Sequence, residues 1–241
     1  MRALRAPWRL ARCLGHTLHG MAICAFAFPR LDTPARMRHV QRWSARMLAA
    51  LGVECAVDGA AHAGPVLLVA NHVSWLDILA INAVQPARFV AKAEVHRWPL
   101  LGWLVASAGT LFIERERKRD ALRVVHQVAA ALAAGEVVAV FPEGTTSAGD
   151  AVLPFHANLL QAALSAGAPL QPIALRYSDA RGTVSRAAAY VGETSLAASL
   201  WQVLWARELR VRVALLAVEP SLLDRRAMAE RVRTRIAQAL P

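Results

Sequence analysis

A histidine and an aspartate five residues apart, His72 and Asp77, lie in the stretch Asn71-His72-Val73-Ser74-Trp75-Leu76-Asp77, where a short apolar run gives way to a helical pattern. A histidine held by a carboxylate can take a proton from a hydroxyl, while the carboxylate fixes its tautomer and stabilises the imidazolium. On one regular helix, five residues turn two side chains ~140° apart. Pairing therefore requires His72 in a turn and Asp77 in the first helical turn, which Ser74 as N-cap would produce. The same residues also read as a capping box, Ser74 with Asp77, in which His72 is only a turn residue. Two later segments carry further chemistry. Gly109-Thr110-Leu111-Phe112-Ile113-Glu114-Arg115 places an arginine at the exit of a short strand, although the charged run 115–120 reads equally well as a solvated loop. Phe141-Pro142-Glu143-Gly144-Thr145-Thr146-Ser147 follows the most apolar run of the chain. There Gly144 permits close backbone approach, and N–H groups with the hydroxyls of Thr145, Thr146 and Ser147 suit phosphate oxygens.

The elements that must position these residues can be read from periodicity. Apolar runs at 66–70, 89–91, 111–113, 137–141, 170–175 and 188–191 predict buried strands, and 209–215 alternates as a strand with one exposed face. Helical patterns fall between them at 74–84, 99–108, 120–134, 158–166, 196–206 and 221–240. The alternation predicts an α/β fold with a largely parallel central sheet flanked by helices. Strand ends are where such sheets present catalytic groups. Ahead of this domain, taken as 56–241, the segment 1–55 reads as two amphipathic helices parted by a breaker at 29–34. In the second helix Val40, Trp43, Met47 and Leu51 recur on one face and Arg38, Arg42 and Arg46 on another. That is the pattern of an interfacial membrane anchor, or of a surface helix packed on the core with solvated arginines. The apolar run 21–28 is too short to span a bilayer, and a single tilted span over 8–28 ranks below an interfacial helix.

The three motifs in this order resemble the glycerophospholipid acyltransferase family, in particular its 1-acylglycerol-3-phosphate acyltransferase branch. The first is similar to the family's Asn-His-x4-Asp block, which implies His72 as general base and Asp77 as its orienting partner. The Gly109 to Arg115 segment resembles the Gly-x-x-Phe-Ile-x-Arg block, which assigns Arg115 to the acceptor phosphate. The Phe141 to Ser147 segment is similar to the Phe-Pro-Glu-Gly-Thr-Arg-Ser block and gives Glu143 and Gly144 acceptor-binding roles. A looser likeness is Leu170-Gln171-Pro172-Ile173-Ala174-Leu175, similar to an apolar strand with a central proline. The resemblance covers roughly residues 65 to 192 and implies transfer of an acyl chain from acyl-CoA or an acyl carrier protein to a lysophospholipid hydroxyl. It also implies phosphatidic acid as product and a position on the cytoplasmic face of the inner membrane. Thr146 stands where arginine is common. A phosphate site without that guanidinium loses a bidentate, permanently charged contact. Lyso-ornithine-lipid acyltransferases are similar in this block and supply the alternative acceptor.

Composition narrows the rest. The formal net charge is +11, of which +8 falls in residues 1–51, where nine arginines face the single acid Asp32. That charge suits an anionic surface, lipid or nucleic acid. Its pairing with Trp43, Met47 and Leu51 favours lipid, and nucleic acid is not expected as a partner. Cys13, Cys24 and Cys55 match neither a metal nor a disulfide spacing and read as reduced thiols. No Gly-x-Ser-x-Gly, Gly-x-Gly-x-x-Gly or Gly-x4-Gly-Lys-Ser/Thr occurs, which disfavours serine hydrolases and nucleotide enzymes. His16 and His19 have no acidic neighbour in sequence, so no metal site is expected there, and no metal or redox cofactor elsewhere. Lys92, one of two lysines, follows a predicted strand and reads as a surface residue or an anion contact.

Overall fold

The computed structural model describes residues 4–114, 118–221 and 224–240. The chain opens with helix α1 (Arg5–Ala22), which passes through a π-turn and a 3-10 turn to Arg30, and helix α2 (Thr33–Leu51) follows. Asp32 starts α2 by accepting a hydrogen bond from Ala35 N at 2.8 Å. Gly52, at φ 78°, ends it in the left-handed conformation that glycine adopts without a Cβ penalty. The α/β body then runs β1 (Val53–Asp58), β2 (Val66–Ala70), α3 (Leu76–Val84), β3 (Arg88–Lys92), α4 (Ala93–His96), α5 (Leu101–Ser107) and β4 (Leu111–Ile113). It continues with α6 (Lys118–Ala133), β5 (Val137–Val140), α7 (Gln161–Ala166), β6 (Leu170–Ser178), α8 (Leu196–Trp205), β7 (Leu209–Leu215) and α9 (Arg225–Ala239).

The strands form one sheet in the order β1-β7-β6-β2-β5-β3-β4. The pairs β2–β5, β2–β6, β3–β5 and β3–β4 are parallel, β1 is parallel to β7, and β7 runs antiparallel to β6. This is the expected largely parallel sheet. β2 is buried on both faces: Val66, Leu68 and Ala70 join the side covered by α2, α3 and α8, and Leu67 and Val69 the side covered by α6, α7 and α9. At about 1.5–3 kcal/mol for each fully buried large apolar side chain, such positions fix the strand in register. The chain lays β3, β4 and β5 on one flank of β2 and β6 and β7 on the other, so the strand order reverses about β2. Open α/β sheets bind ligands at the carboxy end of the strands at such a reversal.

Several expectations need correction. β1 is an additional strand that straddles the 55/56 division, with Val53, Cys55 and Val57 alternating as a strand requires; Glu54 and Asp58 pair with Arg210 and Arg212 of β7. Residues 188–191 are not a strand. Ala188 and Ala189 are buried, but Tyr190 N donates to Val73 O at 3.0 Å, so the segment's polar backbone is satisfied by a loop partner instead of a ladder. In α2, Val40, Met47 and Leu51 are buried in the protein, and Trp43 stacks on the His16 ring of α1 and donates to His16 O. That face is therefore unavailable to lipid, and α2 is the packed surface helix. The exposed apolar face belongs to α1: Leu4, Trp8, Leu14 and Leu18 lie in solvent together with Phe26 of the π-turn. Among the described residues no helix is long and apolar enough to cross a membrane. α1 falls short because Arg9, Arg12 and His16 interrupt it, and because Ala6, Cys13 and Gly20 turn one face into the protein.

Candidate active site

The β2–β5 register, with Val69 opposite Val140, carries forward to place His72 level with Glu143, just past each strand's apolar exit. Asn71 holds this turn to the sheet: its Nδ2 donates to Leu175 O at 2.9 Å and its Oδ1 accepts from Leu175 N at 2.8 Å, so a side chain continues the ladder to β6. The His72 backbone is pinned at both ends by the third motif. His72 N donates to Glu143 Oε1 at 2.8 Å, and His72 O accepts from Ser147 N at 2.8 Å and Ser147 Oγ at 3.2 Å. The imidazole stacks on the Phe141 ring, with centroids 4.0 Å apart and planes 10° from parallel.

Asp77 stands in the first turn of α3, fully buried, with its Oδ2 2.7 Å from His72 Nδ1. The same oxygen accepts from Val73 N at 2.7 Å and Ser74 N at 2.9 Å. The pairing geometry is thus the turn-plus-first-helical-turn arrangement, but Ser74 does not cap the helix: its Oγ is buried without a partner among the described residues, and Asp77 reaches back to the N–H groups instead. Because the carboxylate can only accept, Nδ1 carries the proton, which leaves the Nε2 lone pair as the basic site. Nε2 has no partner among the described residues, so it is the one polar atom of His72 left for a ligand. Asp77 Oδ1 accepts from the Tyr177 hydroxyl at 2.7 Å. Tyr177 lies near the end of β6 and sequence reasoning missed it, because nothing local marks a residue 100 positions away. Burial, reinforced by the neighbouring Asp77, holds its phenol protonated, well above the usual tyrosine range.

The remaining motif residues divide between scaffold and surface. Glu143 is buried with both carboxylate oxygens committed, Oε1 to His72 N and Oε2 to Leu153 N at 3.2 Å. This is the position of a strut beneath the histidine, not of an acceptor contact. Burial pushes its pKa up to about 7, against the opposing pull of those two N–H donors. Gly144, at φ 73°, makes the turn that a Cβ would strain, and its N–H donates to Phe141 O at 3.1 Å. Thr146 Oγ1 donates to Tyr190 O, which ties the 188–191 loop to the site. Of the three hydroxyls, only that of Thr145 is exposed and unbonded among the described residues. Arg115 lies outside the described residues. Ile113, two residues before it, pairs with Lys92 of β3, so the second motif leaves the sheet at the same edge. That exit is three strands from β2, about 14 Å at ~4.8 Å per strand. Lys92 is exposed there. Among the described residues no group of three or more His, Cys, Asp or Glu side chains could hold a metal ion.

A histidine with its base nitrogen open, at the carboxy end of a parallel sheet, suits proton abstraction from a hydroxyl. The profile of the Acyltransferase family matches residues 53–176. A lyso-ornithine lipid O-acyltransferase of Pseudomonas aeruginosa is 39% identical, covering 100% of this chain and 95% of that protein. A 1-acyl-sn-glycerol-3-phosphate acyltransferase of Neisseria meningitidis is 41% identical over 74% of this chain and 71% of its own length. The crystal structure of a 1-acyl-sn-glycerophosphate acyltransferase from Thermotoga maritima covers 96% of each chain with a TM-score of 0.69 at 20% identity, a likeness of fold.

Proposed function

This chain belongs to the acyltransferase family, and from that premise we propose that it moves a fatty acyl chain from an acyl thioester to the free hydroxyl of 1-acylglycerol-3-phosphate, giving phosphatidic acid. The observation that carries the reading is the His72–Asp77 pair, in which every polar atom of His72 except Nε2 is committed to the scaffold. In the reaction, Nε2 takes the proton of the acceptor hydroxyl, and Asp77 stabilises the resulting imidazolium. The acceptor oxygen attacks the thioester carbonyl carbon, whose oxygen becomes an oxyanion. The carbon–sulfur bond then breaks, and the thiolate of coenzyme A or of an acyl carrier protein leaves and takes up the proton. Donors for the oxyanion are the N–H groups of Thr145 and Thr146, since that of Gly144 is engaged within its own turn. The thioester already activates the acyl group, so the reaction as proposed uses no metal or redox cofactor.

A second acceptor reading, a lyso-ornithine lipid, is favoured by one observation. Thr146 spends its hydroxyl on Tyr190 O where an arginine would offer a guanidinium to phosphate. The two readings separate in one assay of purified protein with labelled acyl thioester and both acceptors. If the acceptor is the lysophosphatidic acid, Arg115→Ala raises its KM strongly and Thr146→Arg preserves or improves its use. A Thr146→Val control removes the Tyr190 tie without adding charge. Wild-type preference for the ornithine lipid, reversed by Thr146→Arg, overturns the leading acceptor. Indifference of both acceptors to Arg115→Ala removes the phosphate role of that arginine.

The proposed working position is the surface of a bilayer, at the cytoplasmic face of the inner membrane. Support comes from the α1 stripe, where Trp8 is 66% exposed and Phe26 73%, flanked by the arginines Arg5 and Arg12. Large apolar side chains beside cationic ones are the composition of an interfacial helix.

A further inference from the structure

The histidines His16 and His19, not expected to bind a metal, open onto a second concavity far in sequence from His72. It lies between α1 and α2, has a volume of about 410 Å3, and is lined by Arg12, Gly15, His16, His19, Arg46 and two alanines of α2. Among the described residues no carboxylate lines it. The only acid in residues 1–51, Asp32, is engaged as the α2 N-cap, and neither Arg12 nor Arg46 has an acidic partner among the described residues. The wall is rigid. His16 Nε2 donates to Trp43 O and Trp43 Nε1 to His16 O, each at 2.9 Å, and the two rings stack at 5.2 Å. A Cβ on Gly20 would meet Trp43 Nε1 at 2.4 Å, so only glycine lets the helices approach this closely, whereas a Cβ on Gly15 would meet nothing within 4 Å at the open mouth. The basic groups act on one another: burial first, and then the nearby His19, Arg46 and Arg12, hold the His16 imidazole below its usual pKa.

A concavity whose floor is largely apolar, and whose charged and titratable side chains are all basic, is the electrostatic complement of an anion carried on an apolar body. Two guanidinium forks match the oxygens of a phosphate group in particular. The rim decides which phosphate. Gly15 belongs both to the pocket and to the exposed stripe of α1, between Leu14 and Leu18, so an anion here would sit beside apolar surface turned outward. We propose that the cleft between α1 and α2 binds the phosphate of an anionic phospholipid, through Arg12 and Arg46, at a site separate from that of acyl transfer. The choice of a lipid source rests on the bilayer-facing reading of α1. The phosphate chemistry does not.

The test compares wild type, Arg12→Gln/Arg46→Gln, and Arg5→Gln/Arg42→Gln, the last removing the same charge from one position on each helix outside the cleft. Each is measured for co-sedimentation with phosphatidylcholine vesicles with and without phosphatidylglycerol, for calorimetric binding of glycerol 3-phosphate, and for turnover on detergent-dispersed substrate. The cleft pair should lose about tenfold more affinity for the anionic vesicles than the control pair, with turnover unchanged, because a built phosphate site exceeds diffuse attraction. Equal losses from the two pairs would overturn the site and leave only diffuse attraction. Glycerol 3-phosphate binding abolished by the cleft pair, with vesicle binding untouched, would overturn the lipid source in favour of soluble phosphate. Wild-type protein that ignores anionic vesicles would sink the bilayer reading of α1 instead. The cleft would then stand on glycerol 3-phosphate binding that its two arginines abolish, and fall without it.

Discussion

Tyr177→Phe isolates one hydrogen bond and shows what the tyrosine does. The substitution keeps the ring in its pocket and removes only the hydroxyl, which lies 2.7 Å from Asp77 Oδ1 in a site with Tyr177 2% exposed. Water cannot take its place, so Oδ1 is left as a buried acceptor with no donor. A hydrogen bond to a charged group is worth about 1.5–3 kcal/mol. For a chain of this size, at ~2–4 °C per kcal/mol, that predicts a fall in Tm of roughly 3–12 °C. Catalysis should respond far less. Asp77 Oδ2 keeps its three donors, among them His72 Nδ1, so the tautomer and the aim of Nε2 are retained. Turnover at a temperature where the variant is folded should stay within about threefold of wild type, under ~1 kcal/mol on the barrier. Thermal unfolding by circular dichroism and an acyl-transfer assay on the same preparation give both numbers. An unchanged Tm with turnover down a hundredfold would refute the reasoning and make Tyr177 a participant in proton transfer.

Glu143→Gln retains one oxygen for His72 N but sets an amide NH2 against the second N–H donor, so a loss of ~1–3 kcal/mol in holding the His72 turn should lower kcat by up to about a hundredfold. The folded protein holds the Glu143 proton more tightly than the unfolded chain, with a pKa of about 7 against 4.5. Its contribution to stability is therefore full below about 4.5 and lost as pH rises through about 7. Urea titrations across that window should show wild-type stability falling with pH and the Glu143→Gln slope flattened. On the membrane side, Trp8→Ser/Phe26→Ser should weaken binding to anionic vesicles by about tenfold or more per side chain withdrawn from lipid, with Tm unchanged. Point changes on α1 are the better test than deletion of residues 1–51, because α2 supplies Leu48 and Leu51 to the core.

What the sequence made legible was chemistry tied to strand exits. The three motifs each end an apolar run, and parallel register brings such exits to one edge whatever the details of the loops. The partners that complete the site were not legible, because they act through backbone atoms or from afar. Glu143 and Ser147 reach the His72 backbone, and no residue type announces that use. Tyr177 arrives on another strand. Segment 188–191 has the composition of a buried strand, and Ala188 and Ala189 are buried, but composition cannot tell a ladder from a loop sewn to its neighbours by Tyr190 N and O. Trp43 illustrates the same limit for helices: an amphipathic pattern says that one face is buried, not whether lipid or protein buries it. The exposed apolar stripe fell to α1, whose Leu4, Trp8, Leu14 and Leu18 are broken up in sequence by arginines and histidines on its flanks.

The central claim, that His72 Nε2 is the base for acyl transfer, is tested most directly by His72→Ala with folding checked alongside. The substitution leaves the backbone pins from Glu143 and Ser147 available, because they engage His72 N and O and not its ring. The variant should therefore fold while turnover with acyl thioester and lysolipid falls by about 10²–10⁴-fold, the span of general-base catalysis. A folded His72→Ala protein that retained near wild-type turnover would contradict the account.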